Sequence, residues 1–317
     1  MSGRGNSGSP KSPLAPLLFL LALLLGGCGT ARDQRPHEGP QTSGTTVVLD
    51  VDHRPFRLQV PASYDGGRPV PLVVGLHGWG GDGARIGGQL GLTTSTDSRG
   101  WLLALPDGTV DSRGRRFWNA SAACCNLDGA AVDDVAYLSH VVEAVAADYA
   151  VDPARVYVAG LSNGGFMAHR LACERSDLVS AVVAVAGTTA ADPPACTPTE
   201  GVSVLQVHGT ADAVIRYEGG ALLPGHPYAS APDTVAAWRE REHCSTAARP
   251  GPPLDSDASL PGAETSRTTW PGCDDRSAVS LWTVAGGAHS PQVTAAFADA
   301  LVGWLAHHDA VRRPPRR

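Results

Sequence analysis

The stretch RVYVAGLSNGG, residues 155–165, decides the fold. Arg155 to Ala159 is a short run of the kind that forms a buried strand. Gly160-Leu161-Ser162-Asn163-Gly164 then matches G-x-S-x-G, and residues 164–174 carry helical spacing. Strand, glycine-flanked serine and helix in that order present a nucleophile on a sharp, strained turn, with glycine two residues either side preventing clashes. The turn also sets the Asn163 N–H at a helix N-terminus, where it can hold an oxyanion. In a chain with 37 glycines the five-residue pattern arises by chance, so a plain turn is the competing reading. The flanking strand and helix weigh against it.

Outward from this turn the chain alternates. Residues 46–51 and 55–60 read as a hairpin around Asp52-His53. Continuous apolar runs at 71–76, 101–105, 178–186, 202–207 and 279–284 read as buried strands. Helical spacing covers 132–147, 164–174, 232–241 and 291–307. The pattern predicts an α/β fold: a mostly parallel central sheet, helices on both faces, and an N-terminal antiparallel hairpin. One catalytic domain is expected over 46–310, with 245–263 as a surface excursion. No internal repeat is present.

Upstream, Val73-Val-Gly-Leu-His77-Gly-Trp79-Gly-Gly81 runs a strand into a glycine-rich loop. Such a loop gives the second oxyanion donor in α/β-hydrolases, and Trp79 N–H is the expected one. His77 reads as a brace of that loop rather than a base. A serine nucleophile needs a base, and the base needs an orienting acid, in the chain order Ser, Asp, His. Asp212 follows the strand at 202–207, and His289 follows the last strand in a glycine-rich loop. Both sit beyond the carboxyl ends of strands, the edge where α/β sheets carry their sites. Of the other ten histidines, His208 ends a strand beside Asp212 and reads as structural, His226 and His243 are weaker loop alternatives, and the rest lie in helices, early segments or the loop of His77; Asp233, Asp255 and Asp257 are the weaker acids. Asp133 and Asp134 resemble a metal pair, but at a helix start they read as capping and N-terminal charge. The set Ser162, Asp212 and His289 needs no cofactor and no metal. Trp79 and Trp118 are candidate walls for an acyl group; core packing is the alternative for Trp118.

The formal net charge is −6, from 25 basic and 31 acidic residues, which disfavours a nucleic-acid partner. Lys11 is the sole lysine. With Arg4 it precedes an apolar run of nine residues, 17–25, too short for a spanning helix of about 20 residues. Residues 1–27 therefore read as a signal peptide. Gly26-Gly27-Cys28 resembles a bacterial lipobox, so Cys28 is expected to carry a lipid, the chain's one link to a membrane. Residues 28–45 read as a flexible tether and 311–317 as a basic tail. The protein is expected to be exported, as a bacterial cell-envelope lipoprotein or a secreted enzyme. An even set of cysteines remains: Cys124, Cys125, Cys173, Cys196, Cys244 and Cys273. In an exported chain these suggest disulfides. Metal binding is the competing use, but neither CxxC nor HExxH occurs.

Taken together, LHGWGGDG, Trp118 ahead of Cys124-Cys125, VDDVAYL, GLSNGGFMAHRLACE, HGTAD and GGAHSPQ resemble one group of α/β-hydrolases. These are the secreted polyhydroxybutyrate depolymerases and feruloyl esterase-like enzymes, related to carbohydrate esterase family one. The likeness runs from about residue 70 to 292. It implies a hydrolase of carboxylic esters, acting on polyester bonds or on ferulate or acetate esters of polysaccharide. A C-terminal polymer-binding domain is not recognised, which argues against insoluble polyester. Six cysteines allow about 15 pairings and sequence alone does not choose among them; by order along the chain, Cys173 is expected to pair with Cys196 and Cys244 with Cys273, leaving Cys124 and Cys125 vicinal or reduced. A peptidase or thioesterase of the same fold, and a non-catalytic surface-binding lipoprotein, are the rival readings.

Overall fold

The computed structural model describes residues 44–192 and 196–310. The segments expected to be a signal peptide and a basic tail, Cys28, and nearly all of the expected tether lie outside the described residues.

Among the described residues, fourteen strands and six α-helices follow the alternation of the sequence. In chain order the first strands are β1 Thr45–Val51, β2 Arg54–Val60, β3 Val70–Leu76, β4 Leu102–Leu105, β5 Thr109–Val110, β6 Arg116–Phe117 and β7 Val151–Leu161. They are followed by β8 Ala181–Val185, β9 Ser203–Gly209, β10 Gly220–Leu223, β11 His226–Tyr228, β12 Arg249–Pro250, β13 Thr265–Trp270 and β14 Val279–Val284. The helices are α1 Gly83–Gln89, α2 Leu92–Asp97, α3 Asp134–Asp148, α4 Asn163–Glu174, α5 Ala231–Arg241 and α6 Ala295–Leu305.

One ten-stranded sheet has the order β1-β2-β4-β3-β7-β8-β9-β14-β13-β12. Its central strands β4, β3, β7, β8, β9 and β14 run parallel, and both flanks are antiparallel. Asp52 and His53 both have positive φ (54° and 59°), as the two central residues of a tight primed hairpin turn require. Two short ribbons, β5 with β6 and β10 with β11, stand apart.

Alternate side chains of the central strands feed two cores. Leu72, Val74, Val156 and Val158 face α3, α4 and α5, and meet Leu138, Val141, Phe166 and Trp238. Val73, Tyr157, Ala159 and Leu205 face the other way, onto Ile86, Leu92, Phe297 and Leu301 of α1, α2 and α6. The parallel strands are buried on both faces, which is why they read as unbroken apolar runs. The excursion at 245–263 also carries the edge strand β12 and buried Ser256 and Asp257.

The three cysteine pairs are Cys124–Cys125, Cys173–Cys196 and Cys244–Cys273. The second ties the end of α4 to the segment after β8. The third ties the end of α5 to the approach to β14. Among the described residues no helix is long and apolar enough to cross a membrane.

Candidate active site

Ser162 stands between β7 and α4 with φ 56° and ψ −118°. A positive φ is costly for a residue with a Cβ and persists only where the surroundings over-determine it. Here they do. The Ser162 N–H donates to Val185 O at 2.8 Å, and its carbonyl accepts from Phe166 N–H at 3.0 Å, opening α4. A Cβ on Gly160 would collide with the Gly164 backbone, and one on Gly164 with the carbonyls of Leu76 and His77. Both motif glycines thus permit close approach of backbones, as the spacing predicts.

Ser162, His289 and Asp212 come together from three loops at the carboxyl ends of β7, β14 and β9. His289 Nε2 is 2.9 Å from Ser162 Oγ, and His289 Nδ1 is 2.8 Å from Asp212 Oδ2. A carboxylate only accepts, so Nδ1 carries the proton and Nε2 is free to accept from the serine hydroxyl. Asp212 is buried, which alone would raise its pKa. Hydrogen bonding to His208 and His289, the charge interaction with His289 and the Val214 N–H outweigh burial and hold the carboxyl well below its ordinary range. Ile215 N–H donates to the same carboxyl at 2.9 Å.

The loop after β3 is braced by the His77 ring. His77 donates from Nδ1 to Gly78 O (2.7 Å) and accepts at Nε2 from Gly108 N–H (2.9 Å). Burial pushes its pKa down, so the ring is a brace, as the sequence suggests. A Cβ on Gly78 would lie 3.3 Å from Ser162 Cβ, so the loop passes beside the serine. The next N–H, that of Trp79, and the N–H of Asn163 have no hydrogen-bond partner among the described residues. The Trp79 ring is 40% exposed, with the Arg115 guanidinium 4.0 Å from its centroid.

Trp118 corrects the sequence reading. It is 0% exposed and has no face to offer an acyl group. Its indole N–H donates to His77 O at 3.0 Å and its ring packs 5.0 Å from that of His77. The Asn163 side chain clamps the same residue, accepting from Trp118 N–H (2.7 Å) and donating to Trp118 O (2.9 Å). This clamp ties the elbow to the segment that packs on the loop after β3. In the sequence it shows only as an amide beside the serine, at a position of G-x-S-x-G that the motif leaves open.

Asp133 caps α3 by accepting from Ala136 N–H at 3.0 Å. Asp134 points inward, where it accepts from Arg54 Nη1 (3.0 Å) and Asn119 N–H (2.7 Å). A cavity of about 430 Å³ lies between α4, α5 and the segment after β8, walled by Ala120, Phe166, His169, Thr188, Ala190 and Trp238. Phe166 is one helical turn beyond Ser162. No group of three His, Cys, Asp or Glu residues among the described ones is arranged to hold a metal ion.

Comparison with known proteins gives the site its family. A protein of Nocardia uniformis subsp. tsuyamanensis named as an esterase, NocK, is 32% identical over 297 residues, covering 86% of this chain and 81% of that one. The chain belongs to this esterase family of the α/β-hydrolase fold. The esterase is 26% identical to feruloyl esterase B of Piromyces equi over 256 residues, covering 78% of this chain and 43% of that relative. The acetyl xylan esterase from Aspergillus awamori shares the fold, with a TM-score of 0.58, 16% identity, and coverage of 83% of this chain and all of that one. A model of the prolyl oligopeptidase family matches residues 93–200. That span holds Ser162 but neither Asp212 nor His289. The protein is a carboxylic ester hydrolase.

Proposed function

We propose that the protein is an exported bacterial serine esterase working through Ser162, His289 and Asp212 by way of an acyl-enzyme. The observation that carries this reading is the continuous pair of hydrogen bonds from Ser162 Oγ through His289 to Asp212. Ser162 Oγ attacks the ester carbonyl carbon while His289 Nε2 takes its proton. The negative oxygen that forms is held by the N–H groups of Asn163 and Trp79. His289 returns the proton to the departing alcohol. Water then attacks the acyl-enzyme with His289 again as base, and the acid leaves as Ser162 regains its proton. Asp212 holds the imidazole tautomer and stabilises its charged form in both halves.

The substrate we infer is a feruloyl or acetyl ester of polysaccharide, or a hydroxyalkanoate ester. The name of the Piromyces relative supports the first class. The cavity beside Phe166 gives room for an apolar or aromatic group, and the exposed ring of Trp79 a face to rest on. Three cysteine pairs support export, and Cys28 is the proposed site of a lipid.

Labelling with a fluorophosphonate probe tests the reading. Wild type is expected to label at Ser162, and Ser162→Ala to stay folded with ester turnover lower by about 10⁶-fold. A wild type that does not label, or an alanine variant that turns over ester, overturns it. A panel of acetyl, butyryl, feruloyl and hydroxybutyrate-oligomer esters, with a peptide as control, then ranks the acyl classes.

A further inference from the structure

Strand β9 carries two polar side chains into an apolar layer. Gln206 and His208 are 0% and 1% exposed and lie on the face of β9 that Val204 presents to α4 and α5. Polar groups buried there need partners, and these have them in series. Trp238 Nε1–H donates to His169 Nδ1 at 3.0 Å. His169 Nε2–H donates to Gln206 Oε1 at 2.9 Å. Gln206 Nε2–H donates to His208 Nδ1 at 3.1 Å, and His208 Nε2–H to Ile215 O at 2.7 Å. His208 Nε2 is also 3.4 Å from Asp212 Oδ2, the oxygen that accepts from His289.

The two ends of this series fix every direction in it. An indole nitrogen can only donate, so His169 Nδ1 accepts and its Nε2 must donate. That turns the Gln206 carbonyl toward His169 and its NH₂ toward His208. A backbone carbonyl can only accept, so from the other end His208 Nε2 must donate and its Nδ1 accept. The two ends therefore require the same orientation of the Gln206 amide.

We propose that Gln206 is a positioning residue for ester hydrolysis, locked by His169 so that it holds His208 as a neutral Nε2–H donor beside Asp212 and leaves His289 as the imidazole that brings positive charge to that carboxylate. The inference rests on the triad reading above. A second proton on His208 would have to sit at Nδ1, where the Gln206 N–H already points. Without Gln206 that place is open. An imidazolium beside Asp212 would then cancel the carboxylate's charge, and His289 would hold its own proton less tightly. The acid limb of kcat/KM would move to lower pH, and kcat would fall because the imidazolium formed in the transition state loses its counter-ion.

The groups facing this series are few. On the sheet, Ala184 and Leu281 flank Gln206, and Thr283 flanks His208. The Tyr217 ring meets His208 edge-on at 5.8 Å. From α5 the Arg241 guanidinium acts on His169, whose pKa burial pushes down to about 4. From α4, Arg170 is paired with Glu174. Asp212 is the carboxylate at the near end.

The test compares pH profiles of the full chain on one aryl ester. Gln206→Leu is expected to lower kcat about tenfold with KM within about twofold, and to move the acid limb down by about half a pH unit. Trp238→Phe removes only the distant donor and should move the limb the same way by less. A limb that overlays wild type overturns the proposal whatever happens to kcat, because lost packing slows turnover without moving it. Should Gln206→Leu not fold, wild type carries the test. In ¹⁵N-histidine spectra at about pH 7, assigned with His208→Gln, the His208 signal should be that of the Nε2–H tautomer. An Nδ1–H tautomer or a cation there overturns the proposal. Failure of wild type to label at Ser162 breaks the triad reading instead, and leaves the tautomer result standing.

Discussion

Strand β9 has a buried carboxyl at each end, and the two are held in opposite ways. Asp212, 4% exposed, lies past its carboxyl end; Glu242, 2% exposed, accepts from Val202 N–H at its start. Burial pushes both pKa values up. At Asp212 the imidazoles of His208 and His289 and two backbone N–H groups reverse the push, and the group stays charged. At Glu242 only Ser277 Oγ–H and Val202 N–H donate, both to Oε2, while Oε1 is buried with no hydrogen-bond partner among the described residues. Asp274 and Asp275 add like charge, and the carboxyl is pushed up to about 7. Equal burial therefore says little about protonation. The donors that converge and the sign of the neighbours decide it.

The largest effect should come from breaking the charged end. Asp212→Asn keeps an acceptor for the Val214 and Ile215 N–H groups, so the loop should stay folded. It loses the charge that holds Nδ1–H and stabilises the imidazolium, and kcat is expected to fall about 10⁴-fold with a small change in KM. Steady-state kinetics beside a denaturant curve checks this. Activity within about tenfold of wild type would mean that Asp212 is not the orienting acid.

A third buried carboxylate sharpens the contrast, because a cation balances it. Asp134 is 0% exposed, pairs with Arg54, and Arg54 lies 3.5 Å over the Tyr137 ring. Arg54→Met keeps the aliphatic length but strands the carboxylate, at an expected cost of about 3 kcal/mol in urea unfolding. Arg54→Met combined with Asp134→Asn should recover part of that loss. No recovery would show that lost packing on Tyr137, rather than the uncompensated charge, sets the cost.

What could be read in advance follows the same physics. The central strands were legible because burial on both faces makes them unbroken apolar runs. That Ser162, Asp212 and His289 would meet was legible because each follows such a run in the order Ser, Asp, His. Strand β13, TSRTTW, was not: only Thr265 is buried, and pairing with β14 and β12 holds it in the sheet. Helices α1 and α2, GARIGGQ and LTTSTD, have low intrinsic propensity. They form because Asp82 caps the first and because Ile86 and Leu92 are buried in the core they share with α6. Trp118 was half legible, since an aromatic residue near the site fits either a wall or a brace until its exposure is known. Gln206 and His208 left the clearest unread signal, two polar residues on the core face of a buried strand.

The smallest effect tests the uncharged end of β9. The folded Glu242 holds its proton up to about pH 7, above its ordinary value of 4.5. Between these values the unfolded chain has released a proton that the folded chain keeps, so stability falls as pH rises. The Glu242 contribution is greatest below pH 4.5 and levels off above about 7. The expected loss across that window is on the order of 2 kcal/mol. Glu242→Gln cannot ionise, and its amide can still accept from Ser277 and Val202. The difference in urea unfolding free energy between variant and wild type should therefore grow from acid to neutral pH, with the variant gaining. Using the difference removes Asp212 and every other titrating group common to both chains. Parallel curves across the window would mean that Glu242 is charged in the fold, and that two donors suffice to hold a buried carboxylate.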